Sequence, residues 1–183
     1  MQETRLKIKL FGNPALRKKS KPVKEITQEH RDILAQMARL LYADSGSIGL
    51  AAPQVGINKA MVIVDIGTGL YKLINPRIIR KEGQQVNNEG CLSLPGICIK
   101  VRRAKKVTVR AQDENGTVIT IDAEDLLACV FQHEIDHLRG RLIVDYASLL
   151  EKVKIRKKLE GLKRKDKDEG MPESETKLCQ LQL

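Results

Sequence analysis

The feature that most constrains this chain is the pentapeptide HEIDH at residues 133–137, which lies inside a run of helical apolar spacing. Residues i and i+4 share one face of an α-helix, so His133 and His137 can reach the same metal ion. Glu134 is offset around the helix but close enough to exchange a proton with a water on that ion. The pattern therefore predicts a metal-binding helix in a hydrolase.

Two ordinary surface histidines would produce the same pattern, and two observations weigh against that alternative. The chain contains three histidines in all, and two of them fall in this pentapeptide. The residues just before it, 126–131, read LLACVF and are apolar, which indicates a buried helix rather than a solvated one. The metal site is therefore the favoured interpretation.

A catalytic metal site of this kind usually has three protein ligands and one open position, so a third ligand is needed. Cys129 stacks on the same helical face, but it lies eight residues from His137, which places the two ~12 Å apart along the axis. Of the remaining cysteines, Cys179 lies in a polar tail and Cys98 is flanked by isoleucines, as a buried and inert thiol would be. Cys91 follows a glycine, which allows close backbone approach, and is the predicted ligand.

The length, the cysteine content and the lack of long apolar segments indicate the class of protein and its cellular compartment. A chain of 183 residues can close one domain around its own core. Four cysteines, with no apolar signal segment in residues 1–20, favour a reducing compartment over a disulfide framework. No apolar run approaches the ~18 residues of a membrane span. We therefore predict a cytoplasmic enzyme with no membrane association.

Apolar periodicity and turn residues divide the chain into an α+β pattern. Helices are predicted from Thr27 to the turn at 45–47, over 123–139 and over 146–165. Strands are predicted at 61–66, 73–75 and 77–81, and as a hairpin of 106–112 with 117–122 around Asn115-Gly116. The expected fold is α+β, with antiparallel sheets packed around a central metal-binding helix and a C-terminal helix. We expect residues 1–165 to form the catalytic domain and residues 166–183 a polar, disordered tail.

The net charge of +10 is concentrated in the third helix, where residues 151–165 carry eight Lys or Arg against two Glu. A charge run of this kind is commonly a solvated helix face. It also suits RNA phosphates, since Ile155, Leu159 and Leu162 form only a narrow apolar stripe beside the basic residues. Both interpretations stay open from the sequence.

Three segments together resemble peptide deformylase, the enzyme that removes the formyl group from the N-terminal methionine of new bacterial proteins. They are residues 48–54 (IGLAAPQ), 89–93 (EGCLS) and 132–137 (QHEIDH). Their order and spacing also match, as do the residues GNP at 12–14 and the hairpin before the metal helix. The resemblance covers residues 5–160, roughly, and one departure is Ser47, where the first motif usually begins with glycine.

The resemblance implies a role for each metal-site residue. Cys91, His133 and His137 would ligate the ion, with a water in the fourth position that attacks the formyl carbon. Glu134 would act as general base towards that water and as general acid towards the departing amine. The family ion is usually Fe²⁺, and Zn²⁺, Ni²⁺ or Co²⁺ would substitute. Thiolate and imidazole ligands alone would equally have suggested zinc.

The resemblance also implies how substrate is held. Gln54 and the backbone N–H of Leu92 would hydrogen-bond the formyl oxygen as it becomes an oxyanion. The implied substrate-binding residues are Ile48, Gly49, Glu89, Gly90, Leu126, Cys129 and Val130. Among these, Gly49 and Gly90 would pair with the peptide backbone, Glu89 would pair with Arg103 beneath the metal loop, and the apolar members would form the methionine slot. The expected partners are N-formylmethionyl nascent peptides and, through the C-terminal helix, the ribosome.

Two other functions remain as alternatives. An endopeptidase of the His-Glu-x-x-His type usually has a third His or Glu ligand, and the remaining histidine, His30, lies in the first helix region. A structural metal site serving an RNA-binding module needs a fourth protein ligand, for which Cys98 is the near candidate. Bound metal without deformylation of formyl-Met peptides would favour the structural site.

Overall fold

The computed structural model describes residues 6–44 and 46–168, which contain three α-helices and seven strands. The helices are α1 (Gln28–Ala43), α2 (Asp125–Leu138) and α3 (Leu149–Asp168). The strands are β1 (Gly49–Ala51), β2 (Met61–Val64), β3 (Tyr71–Glu82), β4 (Gln85–Glu89), β5 (Ile99–Arg103), β6 (Lys106–Gln112) and β7 (Val118–Glu124). Within these residues, no helix has both the length and the apolarity to cross a bilayer.

The strands form two antiparallel sheets, one of five strands in the order β1-β2-β3-β6-β7 and one of two strands, β4-β5. Helix α2 lies against the larger sheet, where Ala128, Phe131 and Ile135 pack on valines of β2 and β6. Burying this apolar face against the sheet leaves the metal-binding pentapeptide inside the molecule. The predicted α+β fold around a central helix is confirmed.

The region predicted as two short strands, 73–75 and 77–81, is one twelve-residue strand, β3. The break suggested by Asn75 and Pro76 is a register shift against β6 rather than a strand end. Asn75 adopts a left-handed backbone, φ 53°, and its side-chain amide bonds both backbone groups of Val23, at 2.9 and 2.8 Å. Those two hydrogen bonds stabilise a conformation that would otherwise interrupt the strand.

Helix α3 packs its apolar stripe onto a second core cluster. Leu162 is buried and Ile155 and Leu159 are half-buried against a cluster that includes Leu10, Leu94 and Cys91. The apolar stripe therefore packs on the domain, and the basic side chains face outward. This packing does not decide whether the helix binds RNA, because its basic side chains remain exposed.

The end of α3 lies three residues beyond the predicted boundary at Lys165. The reason is tertiary: Asp166 accepts hydrogen bonds from the backbone N–H of Leu10 and from Nδ2 of Asn13, both at 2.9 Å. These bonds join the last turns of the helix to the N-terminal arm. Residues 169–183, which hold most of the predicted tail, lie outside the described residues.

Candidate metal centre

Helix α2 presents the predicted pair of histidines from its buried C-terminal half. His137 is 1% exposed, and the following Gly140 has φ 71°, the left-handed conformation that commonly follows a helix end. The helix spans Asp125–Leu138 against a predicted 123–139. The local sequence therefore positions both imidazoles on one face, as the i, i+4 spacing requires.

Cys91 completes a cluster of three donor atoms. Its Sγ lies 3.3 Å from Nε2 of His137, and Nε2 of His137 lies 3.2 Å from Nε2 of His133. The three donors all lie within 4.8 Å of one another, with Cys91 and His137 buried. Donors ~2.0–2.3 Å from one ion at tetrahedral angles are ~3.3–3.7 Å apart, so this set fits a metal such as zinc or ferrous iron.

The other candidate cysteines lie outside this cluster. Cys129 is buried, and its Sγ donates to Oε1 of Glu89 at 3.3 Å. Burial and the neighbouring Glu89 carboxylate raise the pKa of Cys129 to about 12, so this thiol stays protonated. Cys98 is half-buried and disulfide-bonded, so the expectation of an inert free thiol is wrong at that position. Neither residue is a metal ligand in the arrangement described.

Glu89 lies at the end of β4 and holds the ring of His133. Its Oε2 lies 2.9 Å from Nδ1 of His133, which directs Nε2 of that ring towards the donor cluster. Arg103, on β5, holds Glu89 in turn through Nε at 2.7 Å and Nη2 at 2.9 Å. Burial raises the pKa of Glu89, but Arg103 and His133 outweigh it and bring the pKa to about 2. Glu89 is therefore an anion at neutral pH.

Glu134 is 3% exposed, and its Oε2 has no hydrogen-bond partner among the described residues. Burial raises its pKa to about 7, against the opposing influence of His133. The carboxylate packs directly against Gly49, where a Cβ atom would lie 2.4 Å from Oε1 of Glu134. A carboxyl group with a pKa near neutrality can both accept and return a proton.

Gln54 lies in a short 3-10 turn after β1 and is 1% exposed. Its Oε1 accepts from the backbone N–H of Ala51 at 2.8 Å, which fixes the amide orientation. Its Nε2 is then directed at the metal loop, 3.5 Å from Sγ of Cys91 and 3.5 Å from Oγ of Ser93. Leu92, the other expected oxyanion donor, follows Cys91 directly. Gln54 therefore lies beside Cys91 in space, and Leu92 lies beside it in the chain.

The expected substrate-binding residues are distributed around this centre. Val130 is buried and lies beside Gly49, and Ile48 and Leu126 are partly buried against the same core cluster. Gly49 belongs to β1, which is an edge strand of the larger sheet among the described residues. Glu89 contacts both Cys129 and His133.

Sequence reasoning missed two members of the polar network behind the site, Asp136 and Tyr146. The carboxylate of Asp136 contacts Nη1 of Arg103 and accepts from the hydroxyl of Tyr146 at 2.6 Å. Asp136 lies inside the recognised pentapeptide on a buried helix, and a buried carboxylate requires a partner, so a signal was present. Nothing in the sequence pointed to Tyr146.

Comparison with known proteins agrees with this geometry. Residues 5–153 match the family of polypeptide deformylases. The chain belongs to that family. Among relatives of this deformylase, the peptide deformylase of Caldanaerobacter subterraneus is 51% identical over 138 residues, 75% of this chain and 86% of the relative. That of Syntrophomonas wolfei is 53% identical over 135 residues, 74% of this chain and 88% of the relative.

Solved structures extend the likeness to the whole fold. A crystal structure of a peptide deformylase from Legionella pneumophila matches with a TM-score of 0.81 and 37% identity, covering 90% of this chain and 98% of that one. The crystal structure of Arabidopsis thaliana peptide deformylase 1B has a TM-score of 0.82 and 33% identity, covering 94% and 98%. The chain is therefore an enzyme, a metal-dependent hydrolase with the fold of its family.

Proposed function

We propose that this chain removes the N-formyl group from the N-terminal methionine of nascent proteins, using Cys91, His133 and His137 as metal ligands. The single observation that supports it best is the convergence of these three donor atoms within 4.8 Å in a member of the deformylase family. An endopeptidase with a third His or Glu ligand fits less well, because the third donor here is a thiol.

The ion that these ligands hold would supply Lewis acidity and lower the pKa of a coordinated water. We assign Fe²⁺ as the resident ion, with Zn²⁺, Ni²⁺ or Co²⁺ as substitutes. Thiolate and imidazole donors suit all four ions. Glu89 would keep His133 in the tautomer that presents Nε2, since it accepts from Nδ1.

Glu134 would take the proton from the attacking water and deliver it to the departing amine of methionine. Three features support this role: the carboxylate is buried, one oxygen has no partner among the described residues, and burial raises the pKa to about 7. A group with this pKa exchanges protons efficiently near neutral pH. The close contact with Gly49 would limit where the carboxylate can move.

Gln54 and the N–H of Leu92 would stabilise the negative charge that develops on the formyl oxygen. The fixed amide of Gln54 supports this role because its Nε2 faces the metal loop and needs no reorientation. Removing one such donor costs ~3–4 kcal/mol in other hydrolases.

The peptide would lie along the edge strand β1, with its backbone pairing near Gly49 and Gly90. Strand addition of this kind needs an open sheet edge, which β1 provides among the described residues. Ile48, Leu126 and Val130 would form the apolar slot for the methionine side chain. Cys129 would belong to the same slot and contacts Glu89 through its thiol.

The proposal is tested by purifying the protein without oxygen, measuring its bound metal and assaying formate release from a formyl-Met peptide. Acetyl-Met of the same sequence is the control substrate, and Glu134→Gln is the control variant. We expect one metal per chain, rapid deformylation, no deacetylation and little turnover by the variant. Stoichiometric metal with no release of formate would contradict the proposal and favour a structural metal site.

We also propose that the exposed basic face of α3 binds ribosomal RNA near nascent chains in the cytoplasm. Charge on this helix supports it, because residues 151–165 carry eight basic side chains against two acidic ones. A variant with Lys154→Gln and Lys157→Gln keeps the packed stripe and should co-sediment less with ribosomes, with a shallower salt dependence. Lys24→Gln with Lys81→Gln removes equal exposed charge elsewhere. Equal binding by both variants would overturn the docking idea.

A further inference from the structure

Tyr146 lies between α2 and α3 and contacts two charged groups behind the metal cluster. Its hydroxyl donates to Oδ2 of Asp136 at 2.6 Å, and Nη1 of Arg103 donates to the same hydroxyl at 3.4 Å. The centre of the Arg103 guanidinium lies 4.9 Å from the centroid of the tyrosine ring, so the ring also covers one face of the cation. Tyr146 itself is 38% exposed and reaches in from the surface.

A continuous series of hydrogen bonds connects Arg103 to His133, one of the proposed metal ligands. Arg103 donates to both oxygens of Glu89, and Glu89 accepts from Nδ1 of His133. Arg103, Glu89 and Asp136 are all buried, so water does not replace a lost partner readily. The orientation of the His133 ring therefore depends on how firmly Arg103 is held.

We propose that Tyr146 is a positioning residue for His133, acting through Asp136, Arg103 and Glu89. The inference rests on the metal ligation proposed above. Asp136 and Glu89 both accept hydrogen bonds from Arg103. The Tyr146 hydroxyl donates a further hydrogen bond to Asp136. Without that hydroxyl, Asp136 has only Arg103 as a partner in this network and attracts the guanidinium away from Glu89. The Glu89 carboxylate, which orients His133, is then held less firmly. Groups that hydrogen-bond a metal-ligating histidine directly change metal affinity by ~10–100-fold when substituted, so Tyr146, which lies further from His133, is expected at the lower end of that range.

The test measures metal release rather than activity. Zinc-loaded wild-type protein and variants are mixed with an excess of chromogenic chelator, and the release rate is followed by absorbance. Tyr146→Phe removes only the hydroxyl, and Tyr146→Leu also removes the ring over Arg103. We expect release to accelerate ~10-fold for the phenylalanine variant and further for the leucine variant. Cobalt-loaded samples should show altered ligand-field absorption in the same order.

A matched control is available in the same chain. The hydroxyl of Tyr42 donates to Oδ2 of Asp65 at 2.7 Å, a bond of the same type that does not lead to the metal cluster. Tyr42→Phe should release zinc at the wild-type rate. Release by Tyr146→Phe at the wild-type rate, or equal acceleration by Tyr42→Phe, would overturn the inference. A wild-type chain that holds no stoichiometric zinc would overturn the metal assignment itself, so the two failures are distinguishable.

Discussion

Replacing Arg103 by methionine removes the cation that two buried carboxylates share. Arg103 is 6% exposed and contacts Glu89 and Asp136, which are 2% and 8% exposed. Removing one partner of a buried ion pair leaves an uncompensated charge and costs ~3–5 kcal/mol. We expect Arg103→Met to lower the unfolding free energy of the metal-free protein by that amount at pH 7.

The pKa of Glu89 gives a second estimate of the free energy that this ion pair contributes to folding. Burial raises it, but Arg103 and His133 bring it down from an ordinary 4.5 to about 2. A depressed pKa contributes stability that is fully present above pH 4.5 and is lost as the pH falls through about 2. The difference between the two values corresponds to ~3 kcal/mol, at 1.36 kcal/mol per pH unit. The two figures are of the same order, and His133 supplies part of the lowering of the Glu89 pKa.

Urea denaturation of metal-free wild type and Arg103→Met, followed by circular dichroism from pH 7 to pH 2, measures both effects. The stability difference should be ~3–5 kcal/mol at pH 7 and should shrink as Glu89 becomes protonated in the wild type. Arg102→Met, on the exposed side of the same strand, is the control and should stay within ~0.5 kcal/mol of wild type. A loss below ~1 kcal/mol, or a difference that does not change with pH, would refute the reasoning.

Four further results are expected. Glu134→Ala should retain its metal and lose nearly all turnover, and metal analysis beside a formyl-Met peptide assay checks this; loss of the metal would show that Glu134 is a ligand. Cys91→Ser should lose metal or activity while Cys98→Ser retains both, and equal loss from the two would place the third ligand elsewhere. Leu162→Ala should lower the unfolding free energy by ~2–5 kcal/mol, because the side chain is buried in the second core cluster and is only 8% exposed. Urea titration measures this, and a change below ~1 kcal/mol would show that Leu162 does not hold α3 on the domain. Ferrous enzyme stored in air should lose activity, since iron and thiolate both oxidise, and stable activity over days with iron bound would contradict this.

The sequence alone was sufficient wherever the signal is local. Helix α2 and its two histidines follow from apolar spacing over adjacent turns, and the structure places the helix within two residues of the predicted bounds. The hairpin of β6 and β7 follows from Asn115-Gly116, where Gly116 adopts φ 90°. Cys91 was identified because a glycine precedes it and because reach along one helix excluded Cys129. The helix and the hairpin concern residues close together in the chain, whereas Cys91 was reached by eliminating the other cysteines.

What the sequence did not reveal depends on distant residues. Strands β4 and β5 carry Glu89 and Arg103, but the residues of β4 read QVNNE and have little intrinsic strand preference. Helix α3 extends past Lys165 because Asp166 bonds the N-terminal arm, 156 residues away in the chain. The contact of Tyr146 with Asp136 likewise forms only when the segment after α2 folds back. Burial makes these polar partners necessary, and only the tertiary structure decides which groups become buried together.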